Sequence, residues 1–295
     1  MKYKIITYDS FTNIKFKGNP AGVVLDADSL SKSQMQNIAT ELGYPETAFV
    51  LKSSPQIKVN FFTPKEEIDL CGHATIAYVT ALFENNKLDN LNNGWNKINI
   101  ENNLGTFPIL IDVHNNKLLN VFMYQDTPSI NFNNLSTYES EILSALGINT
   151  DDLDRNFKIV KAYTGLWDLL IPVKNKLALD NLKIDFSKVE YISKKLNIIS
   201  FHTYCIDDNF NIYARNFAPI VNIYEEAATG TSNGALTYYL YSINKIKENQ
   251  LISINQGESL NRESIINSKI IVEENNPKVL VGGTAIKVID GIINI

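Results

Sequence analysis

The chain has 295 residues, with 27 Lys and Arg against 32 Asp and Glu and a formal net charge of −5. That balance disfavours nucleic acid and acidic membrane surfaces as partners, and 44% hydrophobic content fits a soluble globular protein long enough for two domains. No apolar run reaches the roughly 18–20 residues of a membrane span, and the opening residues alternate as a strand rather than a signal peptide, so a cytoplasmic location is expected. The cysteines are Cys71 and Cys205 and the histidines His73, His114 and His202. A reducing compartment argues against a disulfide, no spacing completes a zinc site, and no phosphate-binding loop ends in lysine. Neither a metal nor a cofactor is expected.

Taken in order, residues 3–9 alternate toward a first strand. The turn-rich segment from Phe16 to Gly22 hands over to a strand at 23–25, and reads either as a plain turn or as a loop offering backbone N–H groups to a ligand. Ser31 and Gln34 form a capping box with Leu30 as its staple. Met35, Ile38, Ala39 and Leu42 mark the buried face of the helix that follows, and Gly43 closes it. Glu46 stands next, where a loop enters the apolar strand 48–51. Desolvation there predicts a carboxyl of raised pKa suited to moving protons, against the plainer reading of a surface acid at a strand end.

Residues 61–83 are the stretch around which the rest is organised. A strand at 59–62 stops at Pro64, and the helix predicted from His73 to Phe83 has almost no wet face. Cys71-Gly72-His73 lie at its first turn, where unpaired N–H groups and the helix dipole favour an anion and stabilise a thiolate. The alternative is a packing glycine beside a gap-filling cysteine. The design recurs at 215–240. Phe217-Ala218-Pro219 answers Phe62-Thr63-Pro64, Glu225-Glu226 answers Glu66-Glu67, and Thr229-Gly230-Thr231 answers Cys71-Gly72-His73. Ala235, Leu236, Tyr239 and Leu240 then continue a largely apolar helix. Residues 135–139 read as a second helix cap, ahead of Ile142, Leu143 and Leu146 with Gly147 as the stop, and match 30–43. The duplication predicts two half-molecules, each wrapping a sheet around its own helix.

Between and after these lie an Asn-rich loop at 85–105 ending in an edge strand at 97–100, and a hairpin of 107–113 with 118–124 that leaves His114 solvated at its turn. Residues 125–134 form the boundary between the halves. A helix at 186–196 and strands at 199–206 and 211–217 follow, with His202 expected in the interior. The chain ends in strands near 251–256, 268–272, 279–281 and 285–289, and Arg262 sits in the loop between the first two.

Gly18-Asn19-Pro20-Ala21, Glu46-Thr47-Ala48-Phe49, Phe62-Thr63-Pro64 with residues 70–75, Phe217-Ala218-Pro219 with residues 228–231, and Gln256-Gly257 run in one order along nearly the whole chain. In that order the sequence resembles the PhzF-type, phenazine biosynthesis-like isomerases. The resemblance implies an α+β, diaminopimelate epimerase-like fold. Two pseudo-symmetric domains, 1–126 and 127–295, would each place a curved sheet or barrel around a central buried helix, with a last strand at 284–295 free to return to the first domain and the active site in the cleft between the halves. It further implies a homodimer and a cofactor-independent isomerase that shifts a proton on a small carboxylate substrate. Glu46 would be the principal acid–base, with His73 and Glu226 as further catalytic residues. Gly18, Asn19, Cys71, Gly72, Ala74, Gly230 and Thr231 would contact substrate.

The sequence departs from that pattern in three places. Glu226-Ala227 stands where the family has Asp-Pro, Thr231 replaces a serine, and Thr229 replaces the second cysteine of the related epimerases, so a two-thiol shuttle cannot operate. A Cys71-dependent epimerase and a non-catalytic binding member of the fold are the alternatives.

Overall fold

The structure, a computed structural model, describes residues 1–53, 56–133 and 135–295; Asn134, the last residue of the expected boundary segment, lies outside them. The chain divides into unit 1, Met1–Tyr124 with Gly282–Ile295, and unit 2, Gln125–Val281.

Unit 1 contains β1 (Lys2–Ser10), β2 (Asn19–Val24), α1 (Lys32–Leu42), β3 (Glu46–Ser53), β4 (Gln56–Phe62), β5 (Glu67–Ile68), α2 (Gly72–Glu84), β6 (Gly94–Asn102), β7 (Gly105–His114) and β8 (Lys117–Tyr124). From β1 the ladder runs antiparallel to β2, parallel to β3, antiparallel to β4, parallel to β6 and antiparallel to β7 and then β8, while β5 adds to β4. Every residue of α2 from His73 to Leu82 is buried. A helix apolar on all sides cannot lie on a sheet with one face wet, and here β1, β2, β3 and β8 all touch it. The sheet is curled round the helix. Each fully buried Ile or Val of α2 then contributes on the order of 2 kcal/mol.

The opposite face of the same strands carries α1. Its capping box between Ser31 and Gln34 is present, Gly43 closes it at φ 66°, and Met35, Ile38 and Ala39 pack with Tyr3, Ile5, Val24, Phe49 and Phe62. Two readings change here. β2 begins at Asn19, so most of the expected turn is strand; Pro20 is accommodated because pairing with β3 starts only at Ala21. β6 is longer than expected and is no edge, since it pairs with β7 on one side and with β4, at Ile57 and Ile100, on the other. The β7–β8 hairpin turns through Asn115 and Asn116 at φ 50° and 56°, the left-handed pair a tight turn requires. His114 is half-exposed beside Asp112.

Unit 2 follows the same plan. It contains β9 (Ser129–Asn131), α3 (Ser136–Leu146), β10 (Val160–Tyr163), β11 (Trp167–Pro172), α4 (Lys176–Asp180), α5 (Phe186–Leu196), β12 (Ser200–Ile206), β13 (Ile212–Ala218), β14 (Ile223–Glu226), α6 (Gly230–Ser242), β15 (Ile252–Gln256) and β16 (Ser264–Glu273). From β10 the ladder runs antiparallel to β11, parallel to β12, antiparallel to β13, parallel to β15 and antiparallel to β16, with β14 added to β13. That is the sequence of directions from β1 to β7. The helix α6 matches α2 in length at 13 residues and is touched by β10, β11 and β16. β17 (Asn276–Gly283) carries the chain back to unit 1, where β18 (Ala285–Asn294) pairs antiparallel with β1 along its whole length.

The topology also corrects the helix matching. α3 precedes β10, whereas α1 lies between the second and third strands of its unit; at that place unit 2 has the short α4 and then α5, which equals α1 in length and which Asp185 caps. Nor is α3 capped by a side chain, because its N-cap is Leu135. α3 and α5 pack together over the outer face of unit 2, with Ile142, Leu146, Val189 and Ile192 in one apolar cluster with Leu169, Phe201 and Phe217.

Candidate active site

Unit 1 builds its cluster at the first turn of α2. Glu46 opens β3 opposite Ala21, so its side chain leaves the strand where the loop from α1 arrives, and it is 18% exposed. Cys71 is the N-cap of α2 and Gly72 its first residue, which places His73 on the inner turn. His73 Nε2 lies 2.9 Å from Glu46 Oε2, a close contact but a misaligned one, since that oxygen is buried without a well-directed donor. On the other side of the ring, Nδ1 lies 3.4 Å from Cys71 Sγ and 3.4 Å from Asn19 Nδ2. Gly18, at φ 68°, aims Asn19 inward; a Cβ there would sit 2.1 Å from Ser10 O, so no other residue fits. The Ser10 hydroxyl donates to the His73 carbonyl at 2.7 Å. Ala74 is fully buried and offers the site only its backbone N–H.

Electrostatics overturn the expected direction for Glu46. Burial raises its pKa, but the close contact and charge of His73, aided by Cys71, outweigh it and hold the carboxyl below its usual 4.5. For His73 burial works downward, while the Cys71 sulfur and the Glu46 carboxylate drive its pKa well above 6.5. Burial pushes the Cys71 thiol above its usual 9.0, with His73 opposing and Glu46 adding to the rise. At neutral pH Cys71 is therefore a thiol, which leaves the Glu46 carboxylate as the anion that pulls the His73 pKa upward. The ligand atoms of Glu46, Cys71 and His73 all lie within 4.8 Å of one another, so the same three could close on a metal ion, at the expense of the proton between His73 and Glu46.

Unit 2 repeats the frame with different chemistry. Thr229 is the N-cap of α6, Gly230 its first residue and Thr231 its second. The Thr164 hydroxyl donates to the Thr231 carbonyl at 2.7 Å, as Ser10 does to His73. Gly165, at φ 152°, precedes β11 as Gly18 precedes β2, and a Cβ there would approach Thr231 Cγ2 to 3.0 Å. Glu226 accepts from Thr229 Oγ1 at 2.8 Å. The Gln256 amide donates to Glu226 O at 2.8 Å and to Thr229 Oγ1 at 3.0 Å, and Gly257, at φ 84°, lets its loop pass so near Ala227 that a Cβ would lie 2.6 Å from the Ala227 carbonyl. The Gln-Gly pair thus holds the Glu226 loop in place.

The carboxylates do not repeat. Glu225 and Glu67 each stand four residues before their N-cap, so Glu226 corresponds to Ile68. Glu225 is tied to Arg215 by contacts of 2.9 and 2.8 Å. Glu46 corresponds to Ser200, because β3 and β12 begin there opposite Ala21 and Asp168. The candidate residues therefore fall into two clusters: Gly18, Asn19, Glu46, Cys71, Gly72, His73 and Ala74 in unit 1, and Glu226, Gly230 and Thr231 in unit 2. Concavities beside Lys2 and Asp290, and beside Gly147 and Lys174, include none of them. Sequence reasoning missed Ser10, Thr164 and Gly165, whose signal was a hydroxyl residue and a glycine ahead of the second strand in each half.

The phenazine biosynthesis-like protein family matches residues 8–291. YddE of Escherichia coli K12, an uncharacterized isomerase, is 33% identical over 296 residues, covering 97% of this chain and 96% of its own. The trans-2,3-dihydro-3-hydroxyanthranilate isomerase of Pseudomonas chlororaphis is 30% identical over 271 residues, 88% of each chain. The crystal structure of a PhzF-family phenazine biosynthesis protein from Bacillus anthracis matches at a TM-score of 0.87 and 30% identity over 100% of both chains. With its motifs, its duplicated α+β plan and these relatives in agreement, the chain belongs to the phenazine biosynthesis-like, PhzF family of isomerases, with the diaminopimelate epimerase-like fold.

Proposed function

We propose that this isomerase works without a cofactor, moving a proton, and with it a double bond, between carbons of a small carboxylate substrate, with Glu46 as the acid–base. The observation that carries the reading is the Glu46–His73 contact at the first turn of α2. An ionised, partly buried carboxylate can take a proton from carbon, and His73 beside it holds the carboxyl in place and shares its charge. The N–H groups at the start of α2 and the positive end of its dipole would stabilise the enolate-like charge that develops when the proton leaves. Glu46 then delivers one proton to a second carbon, after its own has had time to exchange with solvent, so atoms balance with no oxidant or co-reactant.

Two features support a ligand at both helix starts. Neither Gly72 nor Gly230 has positive φ, and a Cβ would meet nothing closer than Met123 Cε at 3.6 Å or Val281 Cγ1 at 3.7 Å. Packing within each unit does not explain glycine there, whereas close approach of a substrate to backbone N–H groups would. Glu226, held by Thr229 and Gln256, would bind or orient the substrate.

A second reading makes Cys71 the base or nucleophile. Its Sγ lies 3.4 Å from His73 Nδ1, which favours it, but burial keeps it a thiol. The test is proton exchange in heavy water with trans-2,3-dihydro-3-hydroxyanthranilate, the substrate named for the Pseudomonas relative, as first probe and a panel of small unsaturated carboxylates after it. Deuterium should enter the product in the wild type and in Cys71→Ala but not in Glu46→Gln. Exchange that survives in Glu46→Gln and vanishes in Cys71→Ala would transfer the role to the thiol.

A further inference from the structure

Beneath Glu226, unit 2 holds a line of buried polar side chains that donate in one direction. Asn216, His202 and Asn233 are at most 1% exposed, as is Gln256. The Asn216 amide nitrogen lies 3.2 Å from His202 Nδ1, and His202 Nε2 lies 3.2 Å from Asn233 Oδ1. The Asn233 amide nitrogen donates to the Thr229 carbonyl at 2.8 Å, which turns Asn233 Oδ1 to the ring, so Nε2 carries the single imidazole proton and Nδ1 is left as an acceptor facing Asn216. The Asn233 amide then donates to Gln256 Oε1 at 2.7 Å, Gln256 to Thr229 Oγ1 at 3.0 Å, and Thr229 to Glu226 Oε2 at 2.8 Å. The two hydrogens of the Asn216 amide are also within reach of Ser200 Oγ at 2.8 Å and Ser232 Oγ at 3.0 Å, and Ser200 donates to Asp168 Oδ1 at 2.6 Å. Asn216 is therefore a divide from which one arm ends on the Asp168 carboxyl and the other on Glu226.

We infer that His202, Asn233, Gln256 and Thr229 are positioning residues for Glu226, forming a chain of hydrogen bonds with a fixed direction that aims its carboxylate and stabilises its ionised form. Amides occupy three of the links, so the chain does not conduct protons; it transmits orientation, and each bond polarises the next. Direction is enforced at the ring: a second proton on His202 would turn Nδ1 into a donor facing a donor. Burial lowers the His202 pKa to about 4, opposed by Asn233, so the ring stays neutral under ordinary conditions. The inference deepens the proposed role of Glu226 and rests on it for functional meaning, but its physical content is testable without turnover.

The test is carboxyl-carbon NMR titration of the full chain labelled in glutamate, with the Glu226 signal assigned by Glu226→Gln, alongside imidazole nitrogen spectra. Losing a hydroxyl donor to a carboxylate should raise the Glu226 titration midpoint by about one pH unit in Thr229→Val, whereas Thr229→Ser should leave it in place. Neutral His202 should carry its proton on Nε2 in the wild type, and Asn216→Leu should erase that preference. A purely structural chain would lower thermal stability in these variants without moving the Glu226 midpoint. An unmoved midpoint in Thr229→Val, or a wild-type proton on Nδ1, overturns the inference, and the second readout needs no variant to fold. Failure of isotope exchange would sink the proposed function and leave these readouts standing; an unmoved midpoint would sink this inference alone.

Discussion

His73 Nε2 lies 2.9 Å from Glu46 Oε2, although one residue belongs to the first turn of α2 and the other to the first position of β3. The pair couples the central helix to the sheet that surrounds it, and it fixes how unit 1 responds to pH. Glu46 is held below its usual 4.5, so the stability it contributes is complete above that value and is lost as pH falls through the lower folded value. His73 is held above 6.5, so its contribution is complete below 6.5 and is lost as pH rises through the higher folded value. Urea unfolding of the wild type and of His73→Leu at stepped pH should show a difference of about 3 kcal/mol near pH 6, shrinking toward both extremes. A difference that stays constant with pH would contradict the pairing.

Glu46→Gln should reach the same fold and lose turnover by roughly 100-fold or more, the span of a positioned acid–base. The amide fills the same volume but also removes the charge opposite His73, so the variant folds with a lowered unfolding midpoint. Single-turnover rates and unfolding midpoints measured side by side separate lost chemistry from lost structure; unchanged turnover would remove Glu46 from the mechanism.

Gly72→Ala and Gly230→Ala should leave the unfolding midpoint unchanged or slightly raised, since each position is helical with room for a methyl group. Substrate affinity should nonetheless fall, by about tenfold, because the methyl group would stand where the ligand meets backbone N–H groups. If affinity is retained in both variants, the helix starts are not the binding surface.

Ile76→Ala should cost about 2–5 kcal/mol, because Ile76 is fully buried in α2 and the curled sheet leaves little freedom to collapse onto the cavity. Turnover per folded molecule should change little. Denaturant titration with active-site counting checks both halves of that statement.

Much of this fold was legible because its central elements are locally self-describing. The apolar run of α2 and the glycine-led starts of α2 and α6 carry their identity in consecutive residues, and so does the Ser31–Gln34 capping box. What escaped depends on residues far apart in the chain. β6 looked like an edge because its parallel partner, β4, lies before α2. The lowered Glu46 pKa required His73, which no local pattern places beside it. The match between α1 and α3 followed their similar helix signals, while the repeat is a property of strand order and makes α5 the counterpart. Nothing in the local sequence marks Asp168 or Asn216; cross-strand register sets them opposite Ser200 and His202.

The pairing of β18 with β1 carries a consequence for biosynthesis. Unit 1 is built from two segments, Met1–Tyr124 and Gly282–Ile295, with the whole of unit 2 between them in the chain. On a ribosome the edge of β1 therefore waits for β18 to emerge, while all of the intervening unit 2 has already been translated and can close. The half that carries Glu46 is thus the last to mature, and nascent chains arrested short of residue 285 would present an unsatisfied strand edge to chaperones.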